Sequence, residues 1–370
     1  MAVRSAHPWQ PKYQQSQDVL GTMDLAVAVT SGLCLQDVCR LQMVSTKVQS
    51  VAHKIVSTNT DSVHIFVCGG ENDVDDGLSS VERLNLAIGR WDKLPSMPTV
   101  RKGPAAAALD GHLYICGGAT DELVALSSAE RFDPIAGRWE SLLPMSTPRA
   151  LAAAAACYDC LYVCGGADYH HGNGNVFQTV ECFDPVRGRW ENSVPMSAAR
   201  EDLATVAIED CLYACGGHDG QNALETVERF DPKEGQWEAL ASMSARRRGL
   251  AATCLQGSLV VCGGTNGMNC LSSVERLKLS VGRWEMLPTM STSRGWLAAA
   301  SAHNCLYVFG GCDNHAVSLS SVECFDPVTG YWEHMPRMSM DYFGPVAVAL
   351  SGRRKVVVKE IKDLEKEELW

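Results

Sequence analysis

One short sequence returns six times along the chain, and it constrains the fold more than any other feature. Each copy is an apolar run that ends in two adjacent glycines, as in CLYVCGG, which ends at Gly166. The first glycines are separated by steps of 48, 48, 51, 47 and 47 residues. Self-similarity at such a period predicts an array of equal structural units. The pairs are Gly69-Gly70, Gly117-Gly118, Gly165-Gly166, Gly216-Gly217, Gly263-Gly264 and Gly310-Gly311.

Each glycine pair is followed by a second pattern with fixed offsets. A glutamate stands two residues before a large apolar residue, and a tryptophan follows that apolar residue after seven positions. The tryptophans are Trp91, Trp139, Trp190, Trp237, Trp284 and Trp332. The apolar residues are Leu84, Phe132, Phe183, Phe230, Leu277 and Phe325. The glutamates are Glu82, Glu130, Glu181, Glu228, Glu275 and Glu323.

Each repeat is predicted to form four short strands. The third repeat shows them as ALAAAAACY (150–158), CLYVCGG (160–166), TVECFDP (179–185) and RWENSV (189–194), with turn residues between them. The alanine run does not indicate a helix, because a two-residue turn follows it at once. Small residues suit an innermost strand near a central channel. Four strands in a unit of this length are typical of a propeller blade rather than a helical solenoid.

The glycine pair and the aromatic–tryptophan spacing together resemble the kelch repeat. The resemblance covers about residues 55–350, with Leu84 and Leu277 in place of the usual aromatic residue. It implies an all-β fold, a six-bladed kelch β-propeller of four-stranded blades, which we expect to span residues 55–352.

Closure of the ring has two solutions at this stage. In the first, GPVAVALS (344–351) supplies the missing innermost strand of blade 1 and leaves no open sheet edge. In the second, VAHKIVS (51–57) supplies that strand, and residues 344–361 form half of a seventh blade. We favour the first.

The repeated residues are predicted to be structural. The glycines suit positive φ or close backbone approach, and the tryptophans suit packing between blades. A buried glutamate needs a partner. A candidate partner stands four residues after the methionine that closes each repeat. We expect a ring of charge-assisted hydrogen bonds between the glutamates and these side chains. The partners are Arg101, Arg149, Arg200, Arg247, Arg294 and, in the sixth slot, Tyr342.

Charge and cysteine content limit the kinds of partner. A net charge of −11 disfavours nucleic acid and an anionic membrane surface. Sixteen cysteines and no apolar leader suggest reduced thiols in a cytoplasmic or nuclear protein. The spacing of Cys157, Cys160 and Cys164 resembles a metal site. The repeat instead places Cys160 at a strand start that holds His112 and Ser258 in other blades, and Cys164 in an apolar position that Phe309 fills in repeat six. We expect no metal and no cofactor.

No catalytic motif stands out, so we expect no enzyme activity and predict a module that binds a protein or peptide. A metal-dependent propeller enzyme is a less favoured alternative. The loops after the glycine pairs and before the first strands should share one end of the propeller, and they vary between repeats. Aromatic and arginine side chains there are typical of a binding surface. The candidate residues are Tyr169, His170, Asp202, His218, Asp219, Arg247, Arg248, Trp296, Asn314, His315 and Tyr342.

The region before the repeats has a different pattern. Residues 18–53 carry apolar residues at mostly helical spacing, and 33–51 resembles the second half of an F-box without its leading Leu-Pro and its Trp. The resemblance implies a receptor that docks the linker subunit of a cullin–RING ubiquitin ligase. Alternatively, these helices pack on the propeller of a plain kelch scaffold. Residues 1–17 are predicted to be disordered, and 353–370 form a charged tail. The candidate linker-binding residues are Leu33, Leu35, Val38, Leu41, Val44 and Val48.

Overall fold

The structure, a computed structural model, describes residues 63–74, 76–168 and 174–351. The predicted segments 1–17, 18–53 and 353–370 therefore lie outside the described residues. Six four-stranded antiparallel sheets make up the described chain, as predicted, together with one two-stranded ribbon in the third repeat. In this part of the chain, no helix is long and apolar enough to span a membrane.

Each blade contributes one strand to each of four concentric layers. The innermost strands, from blade 1 to blade 6, are β26 (Val346–Ser351), β4 (Ala105–Leu109), β8 (Ala153–Cys157), β14 (Ala204–Ile208), β18 (Ala251–Leu255) and β22 (Ala298–Ala302). The second strands are β1 (Val63–Cys68), β5 (His112–Cys116), β9 (Cys160–Cys164), β15 (Cys211–Cys215), β19 (Ser258–Cys262) and β23 (Cys305–Phe309).

The outer half of each blade is equally regular. The third strands are β2 (Val81–Asn85), β6 (Ala129–Asp133), β12 (Val180–Asp184), β16 (Val227–Asp231), β20 (Val274–Lys278) and β24 (Val322–Asp326). The outermost strands are β3 (Arg90–Lys93), β7 (Arg138–Ser141), β13 (Arg189–Ser193), β17 (Gln236–Ala239), β21 (Arg283–Leu287) and β25 (Tyr331–Met335). The ribbon in the third repeat pairs β10 (Ala167–Asp168) with β11 (Asn175–Val176).

The innermost strands surround the channel in the circular order β26, β4, β8, β14, β18, β22, and β22 lies again beside β26. They are rich in alanine, as in AAAAL at Ala105–Leu109. Six strands that converge on one axis leave little room for side chains, so small residues occupy this layer. The second strands are almost completely buried, because a sheet covers each of their faces.

The C-terminal strand closes the ring. Strand β26 pairs antiparallel with β1, from Val63 opposite Ser351 to Cys68 opposite Val346. Blade 1 therefore has the order β26-β1-β2-β3, with its innermost strand taken from the end of the propeller sequence. The first of the two closure solutions is confirmed. The seventh half-blade is excluded, since β26 occupies the innermost position of blade 1.

The glycine pairs meet the backbone requirement predicted for them. Both members of every pair have positive φ, for example 62° at Gly117 and 92° at Gly118. A Cβ at Gly117 would collide with the carbonyl oxygen of Arg149, and one at Gly118 would lie 2.9 Å from the carbonyl oxygen of Lys102. These glycines therefore let the segment that enters each blade approach the end of its second strand.

The predicted charged network is present at every junction between blades. Arg149 is fully buried, and its Nε and Nη2 donate to Oε1 of Glu181 at 3.2 and 3.1 Å. Its Nη1 also donates to the carbonyl oxygens of Gly165 and Thr179 at 2.8 and 3.0 Å. Equivalent pairs tie the segment that leaves one blade to the third strand of the next. The Arg101–Glu130 pair is looser, since Nη2 lies 3.3 Å from Oε1 and the Nε of Arg101 forms no hydrogen bond. The other pairs are Arg101–Glu130, Arg200–Glu228, Arg247–Glu275, Arg294–Glu323 and, across the closure, Tyr342–Glu82.

The tryptophans also link neighbouring blades, as predicted. Each indole N–H donates to a backbone carbonyl of the preceding blade at 2.8 to 3.0 Å, as from Trp139 Nε1 to the oxygen of Pro95. The remaining acceptors are Pro336 for Trp91, Leu143 for Trp190, Val194 for Trp237, Ala241 for Trp284 and Pro288 for Trp332.

The cysteines of the described chain are free thiols that pack in the blades. Cys164 is fully buried, and burial raises its pKa to about 12. A buried thiol with such a pKa stays protonated and behaves as a small apolar residue. Within the described ranges, no group of three or more histidine, cysteine or acidic side chains is placed to hold a metal ion.

Candidate functional site

The strand order brings two sets of segments to one end of the propeller, which we call the loop face. One set follows the glycine pairs, and the other enters the innermost strands. Paired backbone hydrogen bonds join the two sets in every blade, as between Glu201 and His218 at 3.0 and 2.8 Å. The remaining pairs are Lys102 with Ala119, Ala150 with Ala167, Arg248 with Thr265, Gly295 with Cys312 and Phe343 with Glu71. The loop face is therefore a fixed scaffold close to the channel.

Six residues encircle the channel where the innermost strands begin, and we call them the mouth ring. All six have a left-handed backbone, with φ between 48° and 61°. In five of the six links around the ring, the N–H of one member donates to the carbonyl oxygen of the preceding member at 2.7 to 3.0 Å. The mouth ring consists of Gly103, Leu151, Asp202, Gly249, Trp296 and Gly344.

Three members of the mouth ring carry side chains in a conformation that favours glycine. A left-handed backbone at a non-glycine residue is unfavourable by roughly 1 kcal/mol or more. The same backbone conformation occurs in the two-residue hairpins at the other end of the channel, as at Tyr158 and Asp159, where it is the ordinary turn geometry. At the mouth ring it comes together with a cavity and with side chains that differ between blades, and this combination makes the mouth ring the candidate site.

The side chains of the mouth ring lean over their glycine neighbours. A Cβ at Gly249 would lie 2.9 Å from Cγ of Trp296, and one at Gly103 would collide with Leu151. Near Gly344, no atom outside its chain neighbours Phe343 and Pro345 lies within 4 Å of the Cβ position. The mouth is therefore partly covered on one side and open in the Gly344 sector. Beneath it lies a cavity of about 150 Å³.

Trp296 is held across the mouth by three neighbours. Its Nε1 donates to Oδ1 of Asp202 at 3.0 Å, across the intervening Gly249. Its ring stacks on Phe343 with centroids 5.1 Å apart, and the guanidinium of Arg248 lies 5.2 Å from the ring centroid. A cation over an indole face is attracted to it. Asp202 and Trp296 therefore line the cavity, and Arg248 and Phe343 pack on Trp296 beside it.

Asp202 has an unusual electrostatic environment. Its pKa is raised to about 7, mainly by burial and then by the neighbouring Glu201, against the lowering effects of Arg248 and the Trp296 hydrogen bond. The charge of Arg248 therefore does not compensate for burial of this carboxylate. Glu201 also lies 3.4 Å from Nδ1 of His218, measured from Oε1. The mouth holds a carboxyl group that changes charge near neutral pH.

Replacing Asp202 by asparagine should therefore stabilise the fold at high pH. The folded pKa lies above the unfolded value of 3.8, so the carboxyl group contributes most to stability below pH 4, and that contribution is lost as pH rises through 7. We expect Asp202→Asn to raise the thermal midpoint by a few degrees at pH 8 and to leave it nearly unchanged at pH 4. Thermal unfolding followed by circular dichroism measures both values.

The matched control is Glu234→Gln, which removes one negative charge from an exposed turn at the other end of the propeller. It should leave the midpoint nearly unchanged at both pH values. A lower midpoint for Asp202→Asn than for the parent at pH 8 would contradict our account of the buried carboxylate.

The structure brings together only some of the predicted binding residues. Asp202, Arg248 and Trp296 meet at the mouth, and His218 lies beside them through its contact with Glu201. Asp219, Asn314 and His315 are exposed further out on the loop face. Two further candidates, Tyr169 and His170, lie outside the described residues, as do the predicted linker-binding residues Leu33, Leu35, Val38, Leu41, Val44 and Val48.

Two of the predicted binding residues require a correction. Arg247 and Tyr342 are fully buried, and they hold Glu275 and Glu82 in the network between blades. They present no side-chain surface to a target. The loop-face positions belong to the residues that follow them, Arg248 and Phe343.

Sequence reasoning missed Leu151 and Glu201. A signal was available: the mouth-ring slot holds glycine in three of the six repeats, which indicates positive φ for the whole slot. Aligning the repeats at that slot places Leu151 beside Asp202 and Trp296. It also places Glu201 in the same slot as Arg248, one residue before the mouth-ring slot.

Comparison with known families agrees with this architecture. A model described as the Kelch motif matches residues 64–98, 101–146 and 148–197. A second, described as the KLHDC2/KLHL20/DRC7 Kelch-repeats domain, matches residues 191–350. The two together span almost all of the described chain. The chain therefore belongs to the kelch-repeat β-propeller proteins.

A solved structure shows the same fold. The structure of YjhT is similar with a TM-score of 0.60, covering 70% of this chain and 91% of that chain at 16% sequence identity. At this identity the similarity establishes the fold alone. The chemistry of the mouth must be argued from the residues of this chain.

Proposed function

We propose that the protein is a non-catalytic binding module that holds a peptide segment of a partner protein at the mouth ring. The observation that carries the proposal is the meeting of Asp202 and Trp296 at one open cavity, with the guanidinium of Arg248 packed over the Trp296 ring. The glycines, glutamates and tryptophans of the framework recur in all six blades, whereas the mouth residues differ from blade to blade. Variable side chains on a fixed framework are what selective recognition requires.

The chemistry of the mouth suits binding. A partly buried aromatic ring, a guanidinium group and a carboxylate around a concave apolar cavity form the usual composition of a hot spot. Trp296 is already fixed by Asp202, Phe343 and Arg248. A partner therefore meets an ordered surface and loses little affinity to side-chain ordering.

We further propose that the protein is a substrate receptor of a cullin–RING ubiquitin ligase in the cytoplasm. The support is the F-box-like pattern in residues 33–51, which would dock the linker subunit while the propeller holds the target. The alternative is a kelch scaffold without a ubiquitin role. The two differ in whether residues 1–55 recruit a cullin.

A pull-down from cell extract with three forms of the protein tests both proposals. The full chain should recover a target together with cullin and its linker. A chain that lacks residues 1–55 should keep the target and lose cullin. Trp296→Gly should lose the target and keep cullin, and it should fold, since three blades have glycine in this slot with the same positive φ.

Val186→Ser is the matched control, since Val186 is 91% exposed at the opposite end of the propeller. It should recover the same proteins as the parent. Recovery of the target by Trp296→Gly at parental levels would contradict binding at the mouth. Absence of cullin from every sample would contradict the ligase proposal and leave the binding module intact.

A further inference from the structure

The two ends of the propeller differ in charge. The loop face is dominated by carboxylates, and its main basic side chains near the mouth are Lys102 and Arg248. Lys102 is already neutralised, because its Nζ lies 3.5 Å from Glu71, 3.6 Å from Asp76 and 3.8 Å from Asp121. Further carboxylates on this face are Glu201, Asp219 and Asp313.

The opposite end mixes both signs within single turns. Arg187 lies 3.4 Å from Asp184, and Arg189 lies 2.6 Å from Glu191. Further basic residues there, such as Arg138, are accompanied by carboxylates in the inner hairpins, such as Asp159 and Asp210. Around the mouth, by contrast, carboxylates outnumber basic side chains, and the loop face carries an excess of negative charge. Such a field draws a positively charged segment towards this end and repels an acidic one.

Asp202 supplies a specific acceptor inside this field. It is 9% exposed and lines the cavity. Trp296 Nε1 donates to its Oδ1, and no described residue donates a hydrogen bond to its Oδ2. Arg248, the nearest cation, rests on the indole of Trp296 instead of forming an ion pair with Asp202. The cavity therefore holds a buried carboxylate whose second oxygen has no cationic partner.

The cavity walls fit a long basic side chain. Below the mouth ring they consist mostly of small side chains from the innermost strands, such as Ala106, Ala153, Ala252 and Ala299. Such walls suit the aliphatic stem of a long basic side chain, which can enter through the open Gly344 sector. A bulky aromatic or branched side chain would find less room.

We propose that the partner segment is basic and that one of its arginine or lysine side chains occupies this cavity with its head group on Asp202. This inference rests on the proposed function, since it names the chemistry of the segment that the mouth ring holds. The surrounding loop-face carboxylates, Glu201 first among them, attract the other basic residues of the segment. A charge-assisted hydrogen bond to a buried carboxylate is worth roughly 10- to 100-fold in affinity.

Binding of this kind is coupled to loss of a proton. Below pH 7 the carboxyl group of free Asp202 is largely protonated, and an incoming cation favours its ionised form. The charged groups that face it are Glu201 and Arg248, and His218 stands behind Glu201. Affinity for a basic segment therefore rises as pH increases through 7. In Asp202→Asn this part of the pH dependence disappears.

The test selects peptides from a random display library with the full-length protein at pH 8. Selected sequences should be enriched in arginine and lysine. A labelled peptide with the consensus sequence is then titrated by fluorescence anisotropy at pH 6 and pH 8. Asp202→Asn should weaken binding by roughly 10- to 100-fold at pH 8 and flatten the response to pH. Glu234→Gln, at the opposite end, should bind like the parent.

The outcomes separate this inference from the proposed function. Enrichment of acidic or purely apolar peptides whose binding is abolished in Trp296→Gly would overturn the basic-segment proposal and keep the binding site. Basic peptides that bind Asp202→Asn as tightly as the parent, with the same pH response, would overturn the role of Asp202. If no peptide is enriched and the pull-down recovers no target through the mouth, both proposals fail.

Discussion

Replacing Arg149 by methionine should lower the free energy of unfolding by about 3–5 kcal/mol. The substitution removes all the hydrogen bonds from a fully buried guanidinium and leaves Glu181, which is 1% exposed, without its cation. It also removes the Arg149 donor from the carbonyl oxygens of Gly165 and Thr179, of which Thr179 keeps only the N–H of Gly165. Chemical denaturation followed by tryptophan fluorescence measures the loss, which should appear as a lower midpoint.

The junction between blades 6 and 1 suggests a control variant for Arg149→Met. There, Tyr342 donates to Glu82 at 2.8 Å and replaces the arginine. Arg149→Tyr copies that arrangement and should lose less stability than Arg149→Met. The double variant Arg149→Met/Glu181→Leu should recover much of the loss, since it removes the unpaired charge as well. An unchanged midpoint in Arg149→Met would show that the network does not stabilise the ring.

Ending the chain at Gly344 should have the second large effect. It removes β26 and leaves β1 without its partner from Val63 to Cys68. The ring then opens between blades 6 and 1, and an unpaired apolar strand edge becomes available to other molecules. We expect loss of the cooperative thermal transition and aggregation, as measured by light scattering during heating.

A chain that ends after Arg353 retains β26 and serves as the control, with a transition close to that of the full chain. A synthetic peptide of residues 344–351, added to the shorter chain, should restore part of the transition by supplying the strand in trans. If the chain that ends at Gly344 unfolds at the parental temperature, β26 does not contribute to closure.

The sequence predicts the framework of this fold well because the framework is repeated. A residue such as Trp139 or Glu181 occurs six times at one offset, so its role can be inferred from the slot and not from a single position. Closure by residues 344–351 follows in the same way, because an innermost strand without a blade and a blade without an innermost strand complement each other.

The candidate site is harder to predict because it lies where the repeats differ. The contact of Trp296 with Asp202 joins residues 94 positions apart, and nothing in either segment indicates the other. Burial also separates neighbours that look alike in sequence. Arg247 is buried against Glu275, whereas the adjacent Arg248 reaches the mouth, because successive side chains point to different sides of the backbone.

The origin of the innermost strand of blade 1 also determines the order in which this protein can fold during synthesis. Blades 2 to 6 can each form once their own strands have left the ribosome. Blade 1 must wait, because its second strand is made first and its innermost strand is made last. Until then, the edge of β1 stays unsatisfied through the synthesis of almost the entire propeller, and the pairing that completes it spans a very long stretch of chain. The emergence of β26, and not the folding of any of blades 2 to 6, is therefore the event that makes the ring complete.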